Sequence, residues 1–419
     1  MNAFTVRNDT LHAENVPVKD IAKEVGTPCY IYSKAALENA WLGYDRAFGE
    51  HPHLVCFAVK ANSNIGVLGT LAKLGAGFDI VSGGELERVI AAGGDPSKVF
   101  FSGVAKSRAE LAFALEQGVR SINIESPAEL DRVQSVAAEI GKIAPISVRV
   151  NPDVDPQTHP YISTGLEEAK FGVSMQDALR VFQQAKAASH IEVLGIACHI
   201  GSQITTTTPF VDALDRVISL VKTLAEMDIE IKHLDLGGGY GIVYHDETPP
   251  SQQEVIHALL NTLSEAGLNL PISIEPGRSI AGNAGILVTE VAYLKENTDK
   301  NFAIIDAAMN DLMRPSLYGA WHTISPVSTP EKNTPEAVYD VVGPVCETGD
   351  ILGKDRHLAL LPGDLLAIHS AGAYGFTMSS NYNTRPRAAE VLVNGEKWQI
   401  VRKREKTAEL FASESLADW

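Results

Sequence analysis

The residues in this 419-residue chain that could do chemistry stand at the ends of apolar runs. Lys60 closes LVCFAVK, and Asp79 lies in FDIVS. Arg149 ends ISVR, His199 ends LGIACH, the glycines Gly237–Gly239 follow HLDL, and Glu275 follows PISI, three residues before Arg278. A lysine at the end of a buried strand is a candidate nucleophile. Burial favours the neutral amine, the form that attacks carbonyls and makes Schiff bases. Taken alone, such a lysine more often caps a strand and snorkels its ammonium to water. The run Gly237–Gly238–Gly239–Tyr240–Gly241 lets backbone N–H groups close around a phosphate, although a glycine-rich turn is as often structural. Glu275–Pro276–Gly277–Arg278 adds a second glycine turn and a cation. Together the two turns favour an anion site.

These residues need a scaffold that brings strand ends together. Leu54–Val59 is continuously apolar and rich in β-formers, which predicts a strand buried on both faces of a parallel sheet. Seven further apolar runs end at Asp79–Ser82, Ser102–Gly103, Glu125–Ser126, Arg149–Asn151, His199, Gly237 and Glu275. Helical patterns lie between them, at 84–92, 108–116, 127–140, 175–188, 209–227 and 251–266. Strand–helix alternation repeated eight times is what a (β/α)8 barrel requires, and such barrels work at the C-terminal ends of their strands. An open doubly wound sheet is the alternative, and eight similar units favour closure. After Ile280 the rhythm changes to short strands at 285–294, 302–305, 338–341, 365–368 and 390–393, with almost no helix. The expected organisation is a barrel over residues 36–280 and a mostly antiparallel all-β domain of sandwich or barrel-like form, made from residues 1–35 and 281–419.

A Schiff-base lysine beside a phosphate site suggests pyridoxal 5'-phosphate (PLP), which needs an amine for its aldehyde, an anion cradle and a partner for its ring nitrogen. Glu275 can fill the last role, and the alternative is a buried ion pair with Arg278. His199 could stack on the ring or be a hydrogen-bonded core histidine, and Ser202 could donate to the phosphate. Cys346 lies between Gly343–Pro344 and Thr348–Gly349–Asp350, which favours an exposed, reactive turn over a small buried hydrophobe. Arg314 follows Asn310–Asp311 in a turn, where a surface salt bridge is an even alternative to a binding role.

FAVKAN, HIGSQ at 199–203, GGGYG, EPGR and CETGD, in this order, resemble the alanine-racemase-like PLP decarboxylases, the group that acts on diaminopimelate, ornithine and arginine. HPYISTG at 159–165, Lys170–Phe171–Gly172 and MNDLMRPSLYGAWH at 309–322 are similar to the members that convert meso-2,6-diaminopimelate to L-lysine, the last step of lysine biosynthesis. The resemblance implies that Lys60 holds PLP, His199 stacks on its ring and Glu275 faces its nitrogen. It places Ser202, Gly238, Gly239, Pro276, Gly277, Arg278 and Tyr374 at the phosphate. Arg278, Arg314 and Tyr318 would take the distal carboxylate of the substrate and Glu347 its distal amine, with Tyr374 nearby. Cys346 would deliver a proton and, with Glu347, come from the partner subunit of a homodimer. The physical reading agrees: a free carboxylate asks for arginines and a free ammonium for a carboxylate.

The formal net charge of −17 argues against nucleic acid and anionic membranes as partners. The N-terminus has no apolar signal region, and no run is long enough to span a membrane. Cys29, Cys56, Cys198 and Cys346 are scattered without a CxxC pair, which fits a reducing cytoplasm and speaks against a metal site.

Overall fold

The computed structural model describes residues 3–155 and 170–419. The HPYISTG motif at 159–165 lies outside the described residues. The chain divides into two units. One takes Glu38–Ile242 and Glu247–Ile280, and the other takes Met1–Leu37, Val243–Asp246 and Ala281–Trp419.

The first unit is a closed parallel barrel. Its strands are β1 (His53–Ala58), β2 (Gly77–Ile80), β3 (Val99–Phe101), β4 (Ser121–Ile124), β5 (Ala144–Asn151), β6 (Ile191–Cys198), β7 (His233–Asp235) and β8 (Ile272–Ile274). Each pairs in parallel with the next, and β8 returns to β1 through Ile272 opposite His53 and Ile274 opposite Val55. The eight apolar runs seen in the sequence are these eight strands, and closure replaces the open-sheet alternative. Burial on both faces explains their continuous apolar character. The interior also carries a polar ladder: Ser121 Oγ lies 2.9 Å from Ser147 Oγ, which is 3.1 Å from His233 Nε2.

The barrel helices start by one repeated local rule. Ser82, Ser107, Ser126, Ser174 and Ser251 each cap a helix by accepting the N–H of an acidic residue three positions on: Glu85, Glu110, Glu129, Asp177 and Glu254. The serine satisfies an orphan donor, and the carboxylate complements the positive helix end. After β2 and β4 the capping serine stands two residues beyond the strand's last residue, and the loops that lead from strand ends to helices are where functional groups stand.

The second unit is a mixed, mostly antiparallel β structure. Cys29–Ser33, wholly buried, runs between Gly285–Glu296, antiparallel to it, and Ala389–Asn394, parallel to it. Gly285–Glu296 also pairs with Leu365–Ile368 and Asn301–Ile305. Val18, Ile21, Cys29, Ile31, Ile286, Val288, Ala367 and Val391 form the core. Among the described residues of this unit, five strands were not evident in the sequence: Thr10–Ala13, Val16–Pro17, Ile324–Pro326, Ile351–Ala359 and Lys397–Arg402. Ile351–Ala359 carries Lys354–Asp355–Arg356 at its centre and alternates only in part, so its pattern is diluted by charge. Among the described residues no helix is long and apolar enough to cross a membrane.

Candidate active site

A cavity of about 330 Å³ opens at the C-terminal ends of the barrel strands, and Lys60, Asn123, Arg149, His199, Asp235 and Glu275 line it. Lys60 follows β1 by two residues, in a single 3-10 turn over Val59–Ala61. Its Nζ lies 2.8 Å from Oδ2 of Asp79, which is fully buried at the edge of β2. The amine is thus aimed by a carboxylate from the neighbouring strand.

His199 follows β6. The Gly238 N–H donates to its Nδ1 at 3.2 Å, so Nδ1 carries the lone pair and Nε2 the hydrogen. The enclosed position of the ring, with Arg149 and Lys60 nearby, pushes its protonation well below the usual histidine range. The imidazole is neutral, a flat apolar face rather than a cation.

Glu275 follows β8 and is buried, with Oε1 lacking a hydrogen-bond partner. Burial, then Asp235 and Asp79, push its carboxyl well above the ordinary range. Asp235, the last residue of β7, is pushed up to about 6 by burial, with Asp79 adding to the rise. Asp235 accepts from the Gly237 N–H at 3.1 Å and from Asn123 Nδ2 at 3.1 Å. Two buried carboxyls in contact share a proton because both cannot ionise there. Asp235, Asn123 and Ser102 were not singled out from the sequence. The available signal was a charged residue inside an apolar run, Asp235 in HLDLGGG.

The glycine turn is packed where side chains cannot go. A Cβ on Gly238 would run into the Glu275 carbonyl, and one on Gly277 would meet Ala58 and Ala61. Close by, Arg278 Nη2 donates to Ser202 Oγ at 2.9 Å, so the cation of the second glycine turn and the serine after β6 meet. Arg149 is held by Glu125 at 2.9 Å and lies 4.8 Å over the Phe171 ring.

The remaining sequence-derived candidates lie in the β unit. Arg314 opens the short helix Arg314–Tyr318 and is buried. It faces His322 and Tyr244. Tyr318 is half-buried at the end of that helix. Cys346 is an exposed free thiol beside the exposed Glu347. Its backbone N–H donates to Asn383 Oδ1 at 2.8 Å, and the Asp350 carboxylate fixes the turn by accepting from Val345 and Met309. Tyr374 adopts a left-handed φ of 55°, a conformation that costs a non-glycine residue energy and marks a position over-determined by its surroundings.

An aimed amine, a protonated carboxyl with one oxygen left over, and glycine turns bare of side chains fit what PLP requires. The comparison with known families agrees. Residues 34–282 match the model of the pyridoxal-binding domain of pyridoxal-dependent decarboxylases, and the chain belongs to this family. Along nearly its full length the chain is similar to two proteins named diaminopimelate decarboxylase. The one from Vibrio cholerae is 57% identical over 417 residues, 99% of either chain. The one from Pseudomonas aeruginosa is 58% identical over 416 residues, again 99% of either chain. Among solved structures, diaminopimelate decarboxylase from Helicobacter pylori complexed with L-lysine superposes with a TM-score of 0.91 at 42% identity, over 94% of this chain and 98% of that one. The M. jannaschii enzyme, also with L-lysine, gives 0.94 at 35% identity, over 99% and 98%.

Proposed function

We propose that this chain decarboxylates meso-2,6-diaminopimelate to L-lysine and CO2, using PLP, as a cytoplasmic homodimer. The observation that carries the reading is the meeting of Lys60, His199 and Glu275 in one cavity. When bound, PLP supplies an electron sink for the pair left behind by departing CO2. Lys60 holds the cofactor through its amine, with Asp79 fixing the direction of approach. His199, neutral, stacks on the ring without adding charge. Glu275 enters the encounter carrying a proton and presents it to the ring nitrogen. A carboxyl there favours full development of the sink, and hence decarboxylation over racemisation. Ser202, Gly238, Gly239, Pro276, Gly277, Arg278 and Tyr374 surround the phosphate.

The substrate has two amino-acid ends, so one is left to be recognised while the other reacts. Arg278, Arg314 and Tyr318 take the distal carboxylate, and Glu347 takes the distal ammonium. Cys346 returns a proton to the carbon that lost CO2. Cys346 and Glu347 are supplied by the second copy of the chain.

The test is an absorbance spectrum of the purified protein before and after meso-diaminopimelate, together with CO2 release from a panel of amino acids. A visible cofactor band that changes on adding this substrate, and fastest turnover on it, are expected. Faster turnover on ornithine would overturn the substrate assignment. Lys60→Ala is expected to lose both the band and nearly all turnover, and unchanged turnover would remove Lys60 from its role.

A further inference from the structure

We infer that His322 is a positioning residue for Arg314, acting as a neutral hydrogen-bond acceptor that orients the guanidinium for the substrate's distal carboxylate. The inference rests on the carboxylate-binding role proposed for Arg314. Arg314 Nη1 lies 2.7 Å from His322 Nε2, and His322 Nδ1 lies 2.8 Å from the His369 backbone oxygen. A carbonyl oxygen only accepts, so Nδ1 carries the hydrogen. A guanidinium only donates, so Nε2 must offer a lone pair. The two contacts leave a single consistent state: neutral imidazole, Nδ1–H to His369, Nε2 accepting from Arg314.

The ring is fully buried and has little freedom. The segment carrying its carbonyl partner is fixed in turn, because the His369 N–H donates to the Thr323 oxygen at 2.8 Å and its imidazole Nε2 meets Ser325 Oγ at 2.8 Å. Tyr244 completes the seat. Its ring lies 4.3 Å beneath the guanidinium carbon and meets the His322 ring edge-on at 5.3 Å. Thr323 Oγ1 donates to the Tyr244 carbonyl at 3.2 Å.

A carboxylate in the place of His322 would orient the guanidinium equally well but would cancel much of its charge. A neutral acceptor and an aromatic face give direction without adding a negative charge of their own. Nothing in the reacting groups needs His322, so its loss should appear in binding of the distal carboxylate rather than in the chemical step.

The experiment uses the full-length holoenzyme and compares His322→Leu, His322→Asn, His322→Gln and Arg314→Leu with the parent. KM and kcat for meso-diaminopimelate are measured, along with inhibition by L-lysine, which keeps the distal carboxylate, and by 1,5-diaminopentane, which lacks it. Leucine removes the acceptor, and asparagine keeps the contact to His369 but is too short to reach Arg314. Both are expected to raise KM and weaken L-lysine about tenfold, the worth of one hydrogen bond to a charged group. Under both, kcat and inhibition by diaminopentane should stay near the parent values. Glutamine, whose amide oxygen can occupy the Nε2 position, is expected to restore KM. L-lysine inhibition unchanged in His322→Asn but lost in Arg314→Leu would overturn the positioning role. L-lysine inhibition unchanged in Arg314→Leu would overturn the carboxylate role of the arginine itself, and the inference with it. Equal weakening of L-lysine and diaminopentane by the His322 variants would mark a purely structural residue.

Discussion

Asp235 and Glu275 are buried together in the cavity, and their proton balance reaches beyond catalysis. Asp235 rises from 3.8 to about 6 chiefly through burial, which corresponds to roughly 3 kcal/mol between its charged and neutral forms. For an acid whose pKa is raised by folding, the stabilising contribution is complete below the unfolded value. It fades as pH rises through the folded one. The cofactor-free protein should therefore lose stability between about pH 4 and 6 through this group. Asp235→Asn, which stays neutral, should melt at or below the parent at pH 4 and above it at pH 8, as read by thermal denaturation. A difference that does not grow with pH would show that Asp235 is not desolvated as described. At Cys346, replacement by alanine should lower kcat by about 10²–10⁴, the usual worth of a positioned proton donor. Stopped-flow spectra can show whether the loss falls after CO2 departs. Lys60, His199 and Glu275 were visible in the sequence because ionisable groups at the ends of apolar runs are costly unless used. Asp235 escaped notice because it sits inside its run, and only the cavity shows which way it points. His322 escaped because its meaning depends on a carbonyl 47 positions away.

At the scale of elements, the barrel is written by local rules that repeat. The serine caps with their acidic third residues mark where five helices begin. Ser107 and Glu110 reciprocate in a full capping box, and the same helix ends at Gly118 with a left-handed φ. Ser107→Ala should cost about 1 kcal/mol of stability, measured by denaturant unfolding, with little change in turnover. The parallel strands were legible because burial on both faces leaves an unbroken apolar signature. The edge elements of the β unit were not, because one solvated face dilutes that signature. Lys397–Arg402 has no buried residue, yet it is anchored. Arg402 Nε donates to the fully buried Glu390, which also accepts from Tyr32 Oη at 2.7 Å. Glu390→Ala removes the acceptor of both contacts and should destabilise the protein by about 1–3 kcal/mol.

At the scale of the molecule, the chain leaves one unit and re-enters it more than once, and neither unit is a continuous piece. Cys29 through Ser33 pair in parallel with Ala389 through Val393, so a central strand laid down early finds one neighbour only some 350 residues later. A chain stopped after Thr384 keeps all eight barrel strands and lacks one of the two partners of Cys29–Ser33. Such a truncation should lose cooperative melting in the β unit and expose an unpaired apolar edge. Aggregation on expression is the expected result, checked by size-exclusion chromatography. The same pairing gives the growing polypeptide a fixed timetable. While the ribosome is still translating, every barrel strand can emerge and close, but Cys29–Ser33 must wait for Ala389–Asn394 to complete one of its edges. A premature stop anywhere before Ala389 would therefore be nearly as damaging as an early one.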